Sequence, residues 1–326
     1  MQKITLLDVF AARQVIAPYL APTPLYPYPG LHHLLGTSTY VKHENHQPVG
    51  AFKIRGGIYF MSRLAEDEKR RGVVTASTGN HGQAIAYAGR LYGVPVTIVV
   101  PAAANPVKVE AIRSLGARLV FHGRNFEEAR HFAEAHAHAR GNRFISSGDE
   151  PWLIAGVATL TLEIIASLPE VGTIIVPVGG GSGAAGCCIV AKTINPQIRV
   201  IGVQAENAPA VYLSWKSRKR VEAKIETFAE GLATAAPFDL PLAIMLEHLD
   251  DFVLVSEGEM RQAVRLLIEH TRNLPEAAAA APLAAALKIK ATLAPRPLVL
   301  VMSGGNISLP QLQEILDHPT QAYMAT

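Results

Sequence analysis

The sequence predicts an α/β protein with two doubly wound open-sheet lobes. Apolar, strand-like runs alternate with helical patterns along most of the 326 residues, and this alternation is typical of parallel sheets with helices on both faces. Two of the apolar runs lead into loops that are rich in glycine or in small polar residues. In open α/β sheets, ligands bind where such loops follow the carboxyl ends of strands.

The individual elements follow from periodicity and flanking residues. The predicted strands are Val73–Ala76, Val96–Val100, Leu119–Phe121, Phe144–Ser146, Ile174–Val178, Val200–Val203, Phe252–Val255 and Leu298–Met302. The predicted helices include Gln83–Tyr92, Asn105–Leu115, Phe126–Ala139, Trp152–Leu168 and Glu257–Thr271. Ser256 and Glu259 have the spacing of a capping box, which marks the start of the last of these helices.

The order of these segments predicts two domains. The strand runs between residues 72 and 147 are sufficient for one small sheet. Residues 1–71 together with 148–326 would form the larger domain, into which the small one is inserted. The ligand would then lie in the cleft between the two.

Composition excludes several classes of function. The chain is 49% hydrophobic with a net charge of +3, and its short basic run 216–220 lacks interleaved aromatic residues, which argues against nucleic-acid binding. No apolar run reaches the length of a membrane span, and residues 1–13 lack the apolar region of a secretory signal. The adjacent Cys187 and Cys188 are interpreted as packing residues in a reducing compartment. We therefore expect a cytoplasmic protein that does not bind membranes.

Lys53 is the first candidate for chemistry. It lies between Phe52 and Ile54, and no carboxylate is adjacent to it in the sequence. Burial among such neighbours lowers the pKa of a lysine, and the free amine is the form that attacks a carbonyl to give a Schiff base. The alternative is an ordinary surface lysine.

Two strand–loop–helix segments support the chemical interpretation. Residues 77–83 (Ser-Thr-Gly-Asn-His-Gly-Gln) open a helix after one strand, and Gly179–Gly183 does so after another. Both place backbone N–H groups at a helix N-terminus, where anions bind. The second loop is neither a Walker loop nor a dinucleotide fingerprint, since Ala184 and Gln204 break the latter. A plain glycine-rich turn is the alternative, but together with Lys53 the loops indicate a phosphorylated aldehyde cofactor.

At this point the chain resembles the fold-type II pyridoxal-phosphate enzymes, specifically the threonine/serine dehydratase and serine racemase branch. This resemblance implies the two-lobed architecture of the tryptophan synthase β type. The matching motifs occur in the family's order along nearly the whole chain. They are Thr23-Pro24-Leu25, the Gly-x-Phe-Lys-x-Arg-Gly segment at 50–56, residues 77–83, Gly179–Gly183, Pro275-Glu276, and Ser303-Gly304-Gly305-Asn306.

The resemblance implies a role for each of these residues at the cofactor. Lys53 would hold pyridoxal 5'-phosphate as a Schiff base and then act as the base at the substrate Cα. Phe52 would flank the ring, Asn80 would bind the ring hydroxyl, Ser303 would meet the pyridine nitrogen, and Glu276 would lie at the cofactor. The phosphate would bind to the backbone of Gly179, Gly180, Gly181, Ser182 and Gly183.

The resemblance also implies how the substrate binds. Ser77, Thr78 and His81 would hold its carboxylate. Thr78 also occupies the position from which racemases protonate the opposite face, so it is a second catalytic candidate. Threonine keeps the hydroxyl there but adds a methyl group, which disfavours racemisation.

The chain departs from its apparent relatives at two places near the site. Ala51 precedes Phe52 where relatives have Ser, so the pocket is expected to differ. Ala277 and Ala279 replace glycines after Glu276, and alanine does not readily adopt a positive φ. We therefore expect a loop there that differs from the family's.

A divalent cation site is implied only weakly. Some relatives bind a cation through a glutamate, a backbone carbonyl four residues on and an acidic residue two further on. The corresponding residues here are Glu206, Ala210 and Tyr212, so one carboxylate is missing from a set that a hard cation needs. The alternative is that Glu206 is simply a polar loop residue.

The expected function is a pyridoxal-phosphate ammonia-lyase that converts L-threonine or L-serine to a 2-oxo acid and ammonia by α,β-elimination. One alternative substrate is L-threo-3-hydroxyaspartate or another hydroxy amino acid, whose second carboxylate would contact His46, Arg124 or Arg130. A serine or amino-acid racemase, a β-replacement enzyme and a non-catalytic binding protein are the remaining alternatives. The resemblance further implies a homodimer.

Overall fold

The computed structural model describes residues 3–77, 79–104, 106–293 and 295–318. In these ranges the chain forms one sheet of six strands and one of four, with helices packed around them. This arrangement confirms the predicted α/β class. None of the helices in the described ranges combines the length and apolarity needed to cross a bilayer.

The elements are numbered in chain order. The strands in the described residues are β1 (Leu25–Pro27), β2 (Thr39–His43), β3 (Val73–Ala76), β4 (Val96–Val100), β5 (Arg118–Phe121), β6 (Arg143–Phe144), β7 (Thr173–Pro177), β8 (Arg199–Ala205), β9 (Asp251–Val255) and β10 (Leu298–Met302). The helices are α1 (Leu6–Ile16), α2 (Pro29–Leu35), α3 (Lys53–Arg63), α4 (Glu66–Arg71), α5 (Asn80–Tyr92), α6 (Pro106–Ser114), α7 (Phe126–Arg140), α8 (Pro151–Ser167), α9 (Ser182–Ile194), α10 (Ala210–Ser217), α11 (Asp239–His248), α12 (Glu257–Thr271), α13 (Ala277–Lys288) and α14 (Leu309–Asp317). Short 3₁₀ turns cover Glu44–His46, Glu230–Leu232 and Lys290–Thr292.

The larger sheet has the strand order β1-β2-β10-β7-β8-β9 and is parallel except at β1, which pairs antiparallel with β2. β10 lies inside the sheet between β2 and β7 and is buried along its whole length. Burial on both faces explains why it reads as an uninterrupted apolar run. The sequence patterns missed β1 and β2, because β1 is short and β2 contains the polar residues Lys42 and His43.

The smaller sheet has the order β5-β4-β3-β6, with all strands parallel. All four of its described strands lie between residues 72 and 147, as the sequence predicted. β6 is shorter than predicted and ends at Phe144, because the Ser146 side chain accepts a hydrogen bond from the backbone N–H of Asp149 over 3.0 Å and turns the chain.

Two helix starts test specific predictions. At α12, the Ser256 hydroxyl accepts from the Glu259 N–H and the Glu259 carboxylate accepts from the Ser256 N–H, so the predicted capping box is confirmed. The expectation of an altered loop at Ala277 and Ala279 is wrong. Both residues are in α13, right after its N-cap Glu276, so neither needs a positive φ.

Helix α3 is positioned by two close glycine contacts. A Cβ on Gly56 would lie 2.8 Å from the Leu153 carbonyl oxygen of α8, and one on Gly57 would lie 2.7 Å from the Ala84 carbonyl oxygen of α5. The small residues therefore let α3 pack directly against both backbones. This packing fixes the start of α3, where Lys53 lies.

Candidate active site

A cavity of about 1260 Å³ lies at the carboxyl ends of β3, β4, β7 and β10. Ligands in open α/β sheets bind at this end of the strands. Thr78, predicted to be catalytic and to bind substrate, lies outside the described residues. The other residues predicted for cofactor and substrate all line the cavity: Phe52, Lys53, Ser77, Asn80, His81, Gly179, Gly180, Gly181, Ser182, Gly183, Glu276 and Ser303.

Lys53 is the first residue of α3, and its Nζ donates a hydrogen bond to Ser182 Oγ over 2.7 Å. The nitrogen lies 5.2 Å from the centre of the Phe52 ring. Among the interactions of the described residues, Lys53 has no ion pair with a carboxylate. Burial therefore lowers its pKa to about 8, which increases the free-amine fraction at neutral pH.

Backbone pairing brings the end of β10 to the start of α3. The Phe52 N–H donates to the Ser303 carbonyl over 3.0 Å, and Ala51 forms an antiparallel bridge with Gly304. Ser303 is buried in the cavity wall directly after β10. The pairing thus places its hydroxyl in the same cavity as Lys53.

The glycine-rich loop joins β7 to α9 with little free space around it. A Cβ on Gly179 would lie 2.1 Å from the Gly231 carbonyl oxygen, and one on Gly183 would lie 3.2 Å from a Phe52 ring carbon. Gly181 has φ +90°, a conformation that glycine adopts readily, and it is the N-cap of α9. The first N–H groups of a helix lack helical partners, so this loop is suited to a phosphate.

Asn80, the first residue of α5, belongs to a chain of side-chain hydrogen bonds. Its Nδ2 donates to Glu276 Oε1 over 2.8 Å, and its Oδ1 accepts from Asn306 Nδ2 over 2.7 Å. Asn306 Nδ2 also donates to the Val49 carbonyl over 2.9 Å. The amide nitrogen of Asn80 carries a second proton that these contacts do not use, so it can bind a ligand in the cavity.

Asn306 is a residue of this site whose role the sequence did not reveal. The sequence places it in a glycine-containing motif but indicates no function for it. Its importance depends on contacts with Asn80 and Val49, which lie far from it in sequence. No local pattern around Asn306 predicts those partners.

The Ser77 side chain binds backbone N–H groups at the start of α5. Its Oγ accepts hydrogen bonds from the backbone N–H groups of Gly79 over 3.2 Å and Gly82 over 3.0 Å. A hydroxyl has two acceptor positions and one proton. Since both acceptor positions are used, Ser77 can offer its proton to an anion in the cavity.

His81 is neutral and has a defined tautomer. Thr75 Oγ1 donates its only proton to the Ile145 carbonyl over 2.8 Å, so the His81 Nε2–H must donate to Thr75 Oγ1 over 3.0 Å. Burial, and then the charge of Lys53, lower the pKa of His81 to about 3. Its Nδ1 therefore carries a lone pair. This favours the backbone of α5, rather than the imidazole ring, as the donor to a carboxylate.

A second feature absent from the sequence predictions is an ion pair between Lys108 of α6 and Glu230, which lies between α10 and α11. Both residues line the cavity. Burial raises the pKa of Glu276, and the charge of Lys108 opposes that rise. In the sequence each member of the pair reads as an ordinary surface charge.

Of the three residues expected to contact a second substrate carboxylate, two lie at the cavity and one does not. Arg124 and Arg130 line the cavity, but each already pairs with a glutamate of α7, Glu128 at 2.7 Å and Glu127 at 2.9 Å respectively. His46 is not part of the cavity lining. A role for His46 at this site is therefore a wrong prediction.

The residues expected to bind a cation do not fit that task. Glu206 pairs with Lys288 at 2.9 Å, and the Ala210 carbonyl accepts the Ser214 hydroxyl over 2.7 Å. Tyr212 supplies no carboxylate. Across the described ranges, no group of three or more His, Cys, Asp or Glu side chains is placed to hold a metal ion.

The comparisons with known proteins agree with this geometry. A family model described as "Pyridoxal-phosphate dependent enzyme" matches residues 16–304. The chain belongs to this family. Its members use pyridoxal phosphate, and the residues present here fit that cofactor, with a carboxylate-free lysine at one side of the cavity and a glycine loop at a helix start on another.

Relatives and solved structures narrow the family to one branch. The chain is 37% identical to an L-threonine ammonia-lyase of Thermotoga maritima over 316 residues, which is 96% of this chain and 78% of the relative. A structure of processed threonine deaminase isoform 2 from Solanum lycopersicum is similar with a TM-score of 0.89 and 32% identity, covering 95% of this chain and 91% of that one. A serine racemase from Dictyostelium discoideum has a TM-score of 0.89 at 34% identity, covering 94% and 99%.

Proposed function

We propose that this protein is an ammonia-lyase that acts on L-threonine or L-serine and releases a 2-oxo acid and ammonia by α,β-elimination. The observation that carries the proposal is the Lys53 amine, which is half-buried in the cavity, lacks a carboxylate partner and is hydrogen-bonded to the first residue of α9. The L-threonine ammonia-lyase of T. maritima, similar along nearly the whole chain, supports the substrate class.

Lys53 performs the proton transfers in this proposal. When bound, pyridoxal phosphate supplies an electron sink that makes the substrate Cα proton easier to remove. Lys53 Nζ would take that proton as a general base, and the β-hydroxyl would leave as water after accepting a proton from Lys53 or from a phosphate oxygen of the cofactor. Water would then hydrolyse the released enamine to the 2-oxo acid and ammonia. Ser182 Oγ, 2.7 Å away, holds the nitrogen in position.

Different residues of the cavity would hold different parts of the cofactor. The backbone N–H groups of 179–183 would hold the phosphate, Phe52 would flank the ring, and the free amide proton of Asn80 would bind the ring hydroxyl. Glu276 holds Asn80 through its 2.8 Å hydrogen bond. Ser303 would meet the pyridine nitrogen with a neutral hydroxyl, which would not force protonation of the ring and so would favour rapid loss of a β-substituent.

The substrate carboxylate binds at the start of α5. Ser77 offers its hydroxyl proton there, and the helix N-terminus adds backbone donors and a favourable dipole. The family resemblance assigns Thr78, which lies outside the described residues, to the same carboxylate. His81 supports the site through its backbone and through the neutral ring bonded to Thr75.

A serine racemase is the second candidate, because the D. discoideum serine racemase has a similar structure over almost its whole length. Conversion of L-serine to D-serine would require the Thr78 hydroxyl to deliver a proton to the opposite face. L-threo-3-hydroxyaspartate remains an alternative substrate, since Arg124 and Arg130 line the cavity.

We also propose that the enzyme is a cytoplasmic homodimer with two domains. The described cysteines, Cys187 and Cys188, are free and buried, which is compatible with a reducing compartment. The two separate sheets support a large domain of residues 1–71 and 148–326 and a small one of residues 72–147. The family resemblance supports the dimer, which sedimentation would test.

The test is to record the absorbance of the purified holoenzyme and then add L-threonine, L-serine and L-threo-3-hydroxyaspartate in turn, with detection of 2-oxo acid. We expect a band of lysine-bound cofactor that is absent in Lys53→Ala, together with 2-oxo acid from L-threonine or L-serine. Chiral analysis of residual serine separates the two candidate functions. A protein that binds no cofactor would refute both.

A further inference from the structure

The loop after β8 contains Glu206, the first of the residues expected to bind a divalent cation. Its carboxylate already has a hydrogen-bond partner. Lys288, the last residue of α13, donates from Nζ to Glu206 Oε1 over 2.9 Å. The same nitrogen donates to the Leu254 carbonyl over 2.9 Å and to Glu259 Oε2 over 3.3 Å. Two carboxylates and one backbone carbonyl thus surround a single ammonium.

These three oxygens belong to the types that a hard divalent cation takes as ligands. An ammonium group offers one positive charge and three donors, so it satisfies all three oxygens at once. All three oxygens lie within hydrogen-bonding distance of the Lys288 nitrogen, at 2.9 to 3.3 Å.

The Leu254 carbonyl belongs to β9, and the Glu259 carboxylate is held independently of Lys288. Glu259 Oε2 also accepts the Ser256 N–H over 2.7 Å in the capping box of α12. The Glu206 N–H donates to the Val255 carbonyl over 2.9 Å, which ties the start of the loop to β9. Lys288 thus enters a site whose geometry is set by β8, β9 and α12.

We propose that Lys288 is a tethered cation that takes the place of a divalent metal ion in this chain. The ammonium joins the ends of β8, β9, α12 and α13 without a metal. The same loop is also connected to the cavity wall. The Asn207 carbonyl accepts the Glu226 N–H over 2.8 Å, and Ile225 and Phe228, close to Glu226 in sequence, line the cavity.

The first experiment compares the thermal unfolding of holoenzyme for wild type, Lys288→Met and the control Lys290→Met, each with a chelator, with Mg²⁺ and with Ca²⁺. Methionine keeps the apolar stem and removes the charge, and Lys290 is an exposed lysine two residues on. We expect the wild-type midpoint to be the same in all three conditions. Lys288→Met should unfold about 2–4 °C lower than Lys290→Met.

The second variant, Lys288→Glu, converts the site into three carboxylates and a carbonyl. With chelator it should unfold below Lys288→Met, because like charges repel, and Ca²⁺ should raise its midpoint by about 2–4 °C or more. Calorimetric titration with Ca²⁺ should detect binding to this variant and none to wild type. A wild type that is stabilised by Mg²⁺ or Ca²⁺, a Lys288→Met variant as stable as the control, or a Lys288→Glu variant indifferent to Ca²⁺ would each overturn the proposal.

Discussion

At the residue scale, the lowered pKa of Lys53 depends on charges that are kept away from it. Arg55, two residues further along α3, donates to Glu44 over 2.7 Å and to Glu163 over 2.6 Å. Lys42 binds Glu163 as well. The two carboxylates are thus neutralised by two other cations, and neither raises the pKa of Lys53.

The free amine of Lys53 predicts a pH dependence for the apoprotein. The rate of recombination with pyridoxal phosphate should rise with pH, with a midpoint at about pH 8, because only the free amine attacks the aldehyde. Stopped-flow absorbance measures that rate. A midpoint near the ordinary lysine value of 10.5 would contradict the burial argument.

The lowered pKa of Lys53 also determines how the stability of the apoprotein changes with pH. Between about 8 and 10.5 the unfolded chain binds more protons at Lys53 than the folded apoprotein does. The contribution of Lys53 to apoprotein stability therefore becomes more favourable as the pH rises through this interval. Lys53→Met should remove that part of the slope, as urea unfolding at several pH values would reveal.

Asn306 offers a second prediction at this scale. Asn306→Ala removes the donor to Asn80 Oδ1 and so loosens the amide that we assign to the cofactor hydroxyl. The loss of one such hydrogen bond costs about 1–2 kcal/mol, so the dissociation constant for pyridoxal phosphate should rise about tenfold. Fluorescence titration of the apoprotein measures it. Asn273→Ala, outside the cavity lining, is the control and should bind normally.

At the scale of elements, the site is assembled where helices begin. Lys53 opens α3, Asn80 opens α5, Ser182 opens α9, and Glu276 caps α13. α5 and α9 follow strands β3 and β7 along the chain, and residues at all four helix starts line the cavity at the carboxyl ends of the strands. Helix N-termini facing one cavity favour an anionic ligand such as a phosphorylated cofactor and an amino-acid carboxylate.

The glycine loop yields a prediction at this scale. Gly179→Ala would place a methyl group 2.1 Å from the Gly231 carbonyl oxygen, so the loop must shift away from its position before α9. We expect the variant to purify with much less cofactor and to recover it only at high pyridoxal phosphate. The control is Gly258→Ala in α12, where the nearest atom would be 3.9 Å away. Equal cofactor content in both variants would argue against a phosphate role for the loop.

At the scale of the whole molecule, the buried charge cluster connects parts that the cavity depends on. Arg55 of α3, Glu44 after β2 and Glu163 of α8 meet in the interior, and Thr23 donates to Glu44 over 2.6 Å. Removing one partner of a buried pair is costly because it leaves an uncompensated charge. The cluster therefore ties α3 to α8, to the end of β2 and to the segment before β1.

Acid sensitivity is the prediction that belongs to this scale. Burial opposes the charge of Glu44, but Arg55 more than offsets it and the pKa is lowered below 4.5. The stabilisation by Glu44 is thus complete above about pH 4.5 and is lost as the pH falls. Glu44→Gln should lose about 3–5 kcal/mol at neutral pH, with a smaller difference from wild type in acid.

Urea unfolding of wild type and Glu44→Gln at neutral and acidic pH checks this prediction. Glu66→Gln is the matched control, because Glu66 forms an exposed pair with Lys69 on α4. It should unfold like the wild type at neutral pH. A constant difference between Glu44→Gln and wild type at all pH values would show that ionisation of Glu44 is not the source of the effect.

Part of the fold was predictable because its causes are local. Uninterrupted apolar runs predicted the buried strands β3, β4, β7 and β10, and a three-residue spacing predicted the cap of α12. β2 was missed because Lys42 is buried there against Glu163 at the far end of a helix. From local sequence a lysine is predicted to be exposed, because the carboxylate that allows its burial is distant in the sequence.

The sequence by itself determined the α/β class and located the candidate lysine and the two loops proposed to bind anions, since each depends on neighbouring residues and backbone conformation. Only the tertiary structure decided how these parts are used. The Asn306–Asn80–Glu276 chain, the neutral His81 tautomer and the Lys288–Glu206 pair all join distant segments. Hydrogen bonds and ion pairs act over a few ångströms in space, and local sequence patterns do not encode which distant side chains the packing brings that close.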